Sequence, residues 1–217
     1  MHDAIDPFVP IIYVIDDDEA VLNAMEGLFL SVKLGVRTFA SAIDFLSSDL
    51  PIKHCCGCIV TDLRLPGMSG LDLLRKIKER PHNMPVIFVS GHATVDDSVL
   101  AMKEGAFDFF QKPFNEQKLL DRVGEATSLS IRQCKLEKER EKLLKCYHDL
   151  SDREKEVLKQ LVGGAPNKTM ARNLDISAKT VEFHRANIMK KFEAKSLADL
   201  ILKAIAADPS LSPLTKQ

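Results

Sequence analysis

The chain has 217 residues, 45% of them hydrophobic and 28% charged, and a formal net charge of −1 from 30 Lys+Arg against 31 Asp+Glu. That length suits one large or two small domains, and that composition excludes a disordered or low-complexity chain. No apolar run approaches the ~20 residues that span a bilayer, and Met1-His2-Asp3-Ala4 lacks the basic and apolar stretches of a secretory signal, so a cytoplasmic location without a membrane partner is expected.

The first half alternates short apolar runs with amphipathic segments. Ile11-Ile12-Tyr13-Val14-Ile15 reads as a first strand ending in Asp16-Asp17-Asp18-Glu19. From Ala20 to Ser31, Val21, Leu22, Met25, Leu28 and Phe29 recur at helical spacing. Val36 to Phe39 is a second strand and Ala42 to Leu46 a short helix. Cys58-Ile59-Val60-Thr61 is a third strand ending at Asp62, followed by a helix through Leu71, Leu73, Leu74 and Ile77. Val86 to Val89 is a fourth strand ending at Ser90-Gly91, and Val95, Val99 and Met102 share one face of a fourth helix. Phe107 to Phe110 is a fifth strand, and a fifth helix begins at Leu119. Continuous apolar strands alternating with helices predict an α/β fold, a doubly wound parallel sheet covered on both faces. Its functional crevice lies at the carboxyl ends of the strands.

Leu129, Leu136, Leu143 and Leu150 then recur every seven residues, with Gln133, Arg140 and Tyr147 at the companion positions. The mostly polar companions favour a solvated helix joining two domains over a coiled-coil stalk. Lys135 with Glu139 and Glu141 with Lys145 would support such a helix. Residues 151–207 are helical in pattern throughout. Ser151 with Glu154 forms a capping box opening a helix that Gly163-Gly164 and Pro166 end. Asn167 is expected to cap a short helix to Leu174, Ser177 a longer one from Ala178 to Phe192, and Ser196 a last one from Leu197 to Ala206. Two helices joined by the tight turn Asp175-Ile176-Ser177, between two scaffold helices, predict a helix-turn-helix.

Five cysteines, three of them in His54-Cys55-Cys56-Gly57-Cys58, lack the second ligand pair that zinc needs, so they read as structural or merely exposed thiols.

In a parallel sheet, Asp16 and Asp17 after strand one, Asp62 after strand three, Ser90 after strand four and Lys112 after strand five share one edge. Clustered carboxylates repel unless a cation joins them, and an oxygen-only set with open positions suits Mg²⁺. Three carboxylates, one Mg²⁺ and one Lys sum formally to zero, which lets an anionic phosphoryl group approach an Asp nucleophile. Lys112 and the Ser90 hydroxyl could then hold its oxygens.

These pieces resemble the receiver domain of two-component response regulators over residues 9–126. The likeness rests on Val14-Ile15-Asp16-Asp17-Asp18, the run from Val60 to Gly70, Val89-Ser90-Gly91-His92 and Gln111-Lys112-Pro113-Phe114. The resemblance implies a flavodoxin-like fold with Asp62 as phosphoacceptor. It further implies Asp17 and Asp62 as direct Mg²⁺ ligands, Asp16 acting through water and Arg64 giving its backbone carbonyl. Ser90 and Lys112 would bind the phosphoryl group, with Phe109 the switch aromatic and Lys112–Pro113 a cis bond. Phosphorylation would pull the Ser90 hydroxyl inward, let Phe109 fill the vacated space, and remodel the surface of helix four and strand five into a dimer interface.

On a helical wheel Val181, Ile188 and Phe192 fall within about 40° of one another as a core face. Lys179, Phe183, Ala186 and Lys190 lie opposite, flanked by Glu182 and Asn187. Such a face suits the major groove, where Phe183 or Ala186 would meet a thymine methyl and Glu182 would accept from cytosine. Lys168, Thr180, Lys190 and Lys191 would reach phosphates, and Arg185 would either do the same or pair with Glu154. Asp152 to Leu158, Asn167 to Ala171 and Ser177 to Met189, which includes His184, resemble the LuxR-type domain. Asp175 and Glu193 stand where that family often has Gly. The four-helix domain is placed at 151–210, after a helical linker at 127–150.

With the receiver, the whole is similar to the FixJ subgroup. This implies a DNA-binding transcription regulator and not an enzyme. Its expected partners are a sensor histidine kinase, promoter DNA, RNA polymerase and a second copy when phosphorylated. Two alternatives stand beside it. One is DNA binding independent of phosphorylation. The other is a phosphohydrolase of the haloacid dehalogenase type, whose Asp-x-Asp spacing occurs in Asp16-Asp17-Asp18. The near-zero charge conceals an asymmetry. Residues 1–128 hold 12 basic and 19 acidic residues, residues 129–150 hold 6 and 4, and residues 151–217 hold 12 and 8. An acidic first half and a basic last third suit a metal-binding domain joined to a nucleic-acid-binding one.

Overall fold

The computed structural model describes residues 9–48, 56–79 and 84–212. Its strands are β1 (Ile11–Ile15), β2 (Gly35–Phe39), β3 (Gly57–Thr61), β4 (Val86–Ser90) and β5 (Asp108–Gln111). Its first five helices are α1 (Glu19–Ser31), α2 (Ala42–Ser47), α3 (Gly70–Lys78), α4 (Val95–Lys103) and α5 (Glu116–His148). The five strands form one parallel sheet in the order β2-β1-β3-β4-β5. β3 and β4 are buried at every residue, because interior strands of a parallel sheet meet helices on both faces.

Alternation along each strand divides the core in two. Tyr13, Ile15, Ile59 and Phe88 pack with Phe45 of α2 and with Leu73, Leu74 and Ile77 of α3. Ile12, Val14, Val60, Ile87 and Val89 pack with Met25 and Phe29 of α1 and with Leu119, Val123 and Ala126 of α5. Asp18, Ser41, Ser69 and Thr94 cap α1 to α4 with their side chains, which satisfies N–H groups the helices leave open. Gly70 opens α3 against the end of β3, where a Cβ would stand 2.3 Å from the Asp62 carbonyl oxygen, so only glycine fits.

The chain divides into two compact units between Lys135 and Leu136, and α5 runs unbroken through that point. One helix therefore occupies both the expected fifth helix and the expected linker. The leucine repeat is not one continuous stripe: Leu129 is half-buried, Leu136 is 67% exposed, and Leu143 and Leu150 are buried in the core of the second unit.

That second unit adds α6 (Asp152–Val162), α7 (Asn167–Leu174), α8 (Ala178–Lys191), α9 (Leu197–Ala207) and a short 3₁₀ turn at Pro209–Leu211. Ser151 and Glu154 form the expected capping box, and Ser177 and Ser196 cap α8 and α9. Asn167 does not cap α7. Pro166 holds the cap position without a side-chain bond, and the Asn167 amide oxygen instead accepts from Arg185. Asp175 and Glu193 both adopt left-handed backbone, at φ 52° and 47°. Glu193 is held there from two sides: Lys142 of α5 bonds its carboxylate at 2.7 Å, and Lys203 of α9 bonds its carbonyl at 3.1 Å.

Of the cysteines, Cys56 and Cys58 are buried, and burial pushes the Cys58 thiol far above its ordinary range. His54 and Cys55 lie outside the described residues.

Candidate functional site

Backbone bonds extend the sheet ladder one residue past the strands. Asp16 N–H donates to Phe39 O at 3.2 Å, Asp62 N–H to Ile15 O at 3.0 Å, and Lys112 N–H to Ser90 O at 2.9 Å. This places Asp16, Asp62, Ser90 and Lys112 along one carboxyl edge, as the order of the strands requires.

Their side chains meet. The Lys112 ammonium lies 2.8 Å from Asp16 Oδ2 and 3.6 Å from Asp62 Oδ2. Asp16 is buried, and its other oxygen accepts the Asp18 N–H at 3.0 Å. Asp62 Oδ1 accepts the Arg64 N–H at 3.0 Å and the Ser90 hydroxyl at 2.7 Å. Ser90 is thus turned inward on an unmodified Asp62, so the inward pull expected of phosphorylation is already made. Asp62 Oδ1 holds two hydrogen bonds, whereas Oδ2 faces the more distant ammonium. Partial burial beside a shared cation strengthens such charge-assisted bonds, and Oδ2 is the less engaged of the two oxygens.

Asp17 and Arg64 are exposed beside this group. Among the described residues, no three His, Cys, Asp or Glu side chains converge tightly enough to enclose a metal. The chemistry of the donors still fits Mg²⁺, which takes one or two carboxylates and keeps its waters. Asp16, Asp17 and Asp62 offer only hard oxygens, and the Lys112 ammonium already bridges two of them as a cation. The Lys112–Pro113 bond is cis.

Phe109 is half-buried and tilted against Phe88, with ring centroids 6.0 Å apart. It lines a cavity between β5 and α4 with Ala93, Thr94, Val95, Ser98 and Met102. The space that an aromatic swing would use therefore exists beside it. The apolar face that marked α4 as helical does not enter the core: Val95 is 78% exposed, Val99 and Met102 are also exposed, and Ala101 alone of the helix is buried. Spacing reveals that such a face exists but not which way it turns.

In the second unit Val181, Ile188 and Phe192 are buried, as the helical wheel predicts, and Lys179, Glu182, Phe183, Ala186 and Lys190 are exposed. Phe183, at 63% exposure, is a large bare aromatic on this surface. Lys168 on α7 is also exposed, whereas His184, Asn187 and Thr180 are half-buried. The Thr180 hydroxyl contacts that of Ser177 at 2.8 Å. Arg185 pairs with Asn167, which ties α7 to α8, and not with Glu154.

The partner of Glu154 is Lys191, at 2.7 Å, which also bonds the Asp149 carbonyl at 2.9 Å. Lys191 was expected at a DNA phosphate, and this buried carboxylate claims it instead. Burial pushes the Glu154 carboxyl up, but Lys191 and the Ser151 hydrogen bonds outweigh that and hold it below the usual range. The wheel shows which residues share a face; it does not show that the next turn brings Lys191 over the capping box of α6.

Comparison with known proteins agrees with both halves. Residues 12–124 match the response regulator receiver domain, and residues 148–204 match the luxR family of bacterial regulatory proteins. The response regulator protein TmoT of Ectopseudomonas mendocina is 44% identical over 191 residues, 88% of this chain and 86% of that one. The transcriptional regulatory protein FixJ of Azorhizobium caulinodans is 43% identical over 196 residues, 90% of this chain and 92% of that one. The solved structure of the response regulator StyR superposes with a TM-score of 0.81 at 35% identity, over 89% of this chain and 97% of that one. Among the described residues no helix is long and apolar enough to cross a membrane.

Proposed function

Because the chain belongs to the response regulators that join a receiver domain to a LuxR-type DNA-binding domain, we propose that Asp62 accepts a phosphoryl group from a sensor histidine kinase and that the modified chain pairs on promoter DNA to control transcription. The observation that carries this reading is the engagement of Asp62 by Ser90 and Lys112, with Oδ1 hydrogen-bonded and Oδ2 left to the more distant ammonium.

In this reading Asp62 Oδ2 attacks the phosphorus of a phosphohistidine. The P–N bond breaks, its electron pair stays on the imidazole nitrogen, and an acyl phosphate forms on Asp62. Lys112 and Ser90 then hold the phosphoryl oxygens. Asp17, Asp62, the Arg64 carbonyl and, through water, Asp16 would hold Mg²⁺, which supplies charge neutralisation for the transferring group. The chain modifies itself once and turns over no substrate, so it is not an enzyme in the usual sense.

The dianion draws Ser90 away from Asp62 Oδ1 toward a phosphoryl oxygen, and Phe109 moves into the adjoining cavity. The surface of α4 and β5, where Val95, Val99 and Met102 stand in water, then pairs with a second copy. Two α8 helices come to lie about 34 Å apart, one turn of DNA, with Lys179, Glu182, Phe183, His184, Asn187 and Lys190 toward the groove. Lys168, Thr180 and, once freed from Asn167, Arg185 lie toward the backbone. RNA polymerase is the downstream partner and the cytoplasm the location.

The arrangement argues against the dehalogenase-type alternative. Asp16, the nucleophile by that spacing, is buried with both oxygens engaged.

The test is sedimentation and DNA gel shift of the full chain with and without beryllofluoride, a phosphoryl mimic. Dimerisation and tighter DNA binding with the mimic are expected. An unchanged monomer overturns the reading, and equal DNA affinity in both states favours regulation independent of phosphorylation.

A further inference from the structure

α4 leaves four apolar side chains, Val95, Val99, Leu100 and Met102, exposed and buries only Ala101. Apolar burial therefore does little to hold this helix where it lies. Its charged end is held more firmly. Arg75 of α3 makes a bidentate pair with Glu104, the residue that caps the C-terminus of α4, through Nε at 3.1 Å and a terminal nitrogen at 2.9 Å. Its remaining nitrogen is fixed by Asp72 at 3.1 Å, within the same helix.

Lys78, one turn further along α3, donates its ammonium to the Glu104 carbonyl, where a cation also meets the negative end of the α4 dipole. The next residue, Gly105, leaves room for it. Gly105 has φ 86°, and a Cβ there would stand 2.1 Å from the Lys78 ammonium nitrogen. At the other end α4 is capped only by itself, through Thr94 and Asp97. The network leaves Glu104 with a lowered carboxyl pKa, chiefly through the Arg75 hydrogen bond.

We propose that the Arg75–Glu104–Lys78 strap is the brake that holds α4 in its resting position, and that its strength sets how much phosphoryl signal the receiver needs. The proposal rests on the phosphorylation reading above. α3 follows the phosphoacceptor strand and is anchored by the buried Leu73, Leu74 and Ile77. It is the fixed partner, and α4, with one buried residue, is the one that moves. An exposed network is worth little in absolute terms, but a two-state equilibrium poised near balance answers to small energies.

The experiment titrates the full chain with beryllofluoride and reads dimerisation by sedimentation. Arg75→Gln and Glu104→Gln should each lower the half-saturating mimic concentration roughly three- to tenfold. Lys78→Met, which leaves the ion pair intact, should shift it in the same direction by a smaller factor and stands in if either single variant fails to fold. Midpoints equal to or above wild type overturn the brake. A wild-type chain indifferent to beryllofluoride overturns the phosphorylation reading and this one with it. A responsive wild type matched by its variants overturns the strap alone.

Discussion

Ser90 donates its hydroxyl hydrogen to Asp62 Oδ1 at 2.7 Å. The proposed phosphoacceptor is thus already held by Ser90 in the unmodified chain, and on that reading modification changes the acceptor of an existing bond. Ser90→Ala should therefore leave acyl-phosphate formation nearly intact while reducing mimic-induced dimerisation severalfold. Phosphoprotein yield measured beside sedimentation checks this; an equal loss in both would assign Ser90 to transfer and not to readout.

Asp62→Asn removes the proposed nucleophile but keeps the shape and both hydrogen-bonded positions around Oδ1. Its melting temperature should stay within a few degrees of wild type, with no acid-labile phosphate after incubation with a small acyl-phosphate donor and Mg²⁺. Retained labelling would move the phosphoacceptor elsewhere.

Lys112→Gln leaves Asp16 and Asp62 facing each other without a cation. Removing one member of a partly buried charge group should cost roughly 1–3 kcal/mol at neutral pH. Mg²⁺ should recover part of that loss, because an ion that binds the folded state stabilises it by mass action. Thermal melts with and without millimolar Mg²⁺ test both signs; a variant unaffected by Mg²⁺ would remove these carboxylates from the metal site.

Lys179→Ala and Lys190→Ala should each weaken DNA binding and reduce the salt slope by about one for each phosphate the lysine had neutralised, with the fold unchanged. Lys191→Ala should act differently. It uncovers the buried Glu154 and the Asp149 carbonyl, so the DNA-binding unit itself should melt earlier. Chemical denaturation alongside gel shifts separates the two kinds of lysine.

Glu154 also gives that unit an acid limit. Its folded pKa lies below the ordinary 4.5, so the stability it contributes is complete above that value and is lost as pH falls through the lowered one. Glu154→Gln should destabilise the unit by roughly 1–3 kcal/mol at pH 7 and converge with wild type in strong acid. Parallel denaturation curves from pH 7 to pH 3 check this; a constant gap would show that Glu154 is not ionised in its cradle.

The sheet was legible because period and termination are local properties. Ile11–Ile15 and Val86–Ser90 announce themselves as buried runs, and Ser151 with Glu154 as a capping box. The edge of carboxylates, serine and lysine followed from the strands being parallel. Where side chains choose among partners, spacing was silent. Asn167 had the chemistry of a cap and serves Arg185, whereas Lys191 had the chemistry of a phosphate ligand and serves Glu154. The α4 face had the spacing of a core face and stands in water.

By itself, then, the sequence determined the order of elements, the two kinds of domain, their opposite charges and the identity of Asp16, Asp62, Ser90 and Lys112, since each depends on residues close in the chain or on the rules of parallel sheets. Only the tertiary structure decided that Ser90 already binds Asp62, that Lys112 lies nearer Asp16 than Asp62, and that Arg75 and Lys78 strap α4 at Glu104. Those bonds join residues 26 to 96 positions apart, Lys78 to Glu104 the nearest and Lys112 to Asp16 the farthest. Such pairs become neighbours only when the sheet and its helices have packed, and each donor then bonds whichever acceptor burial brings within about 3 Å.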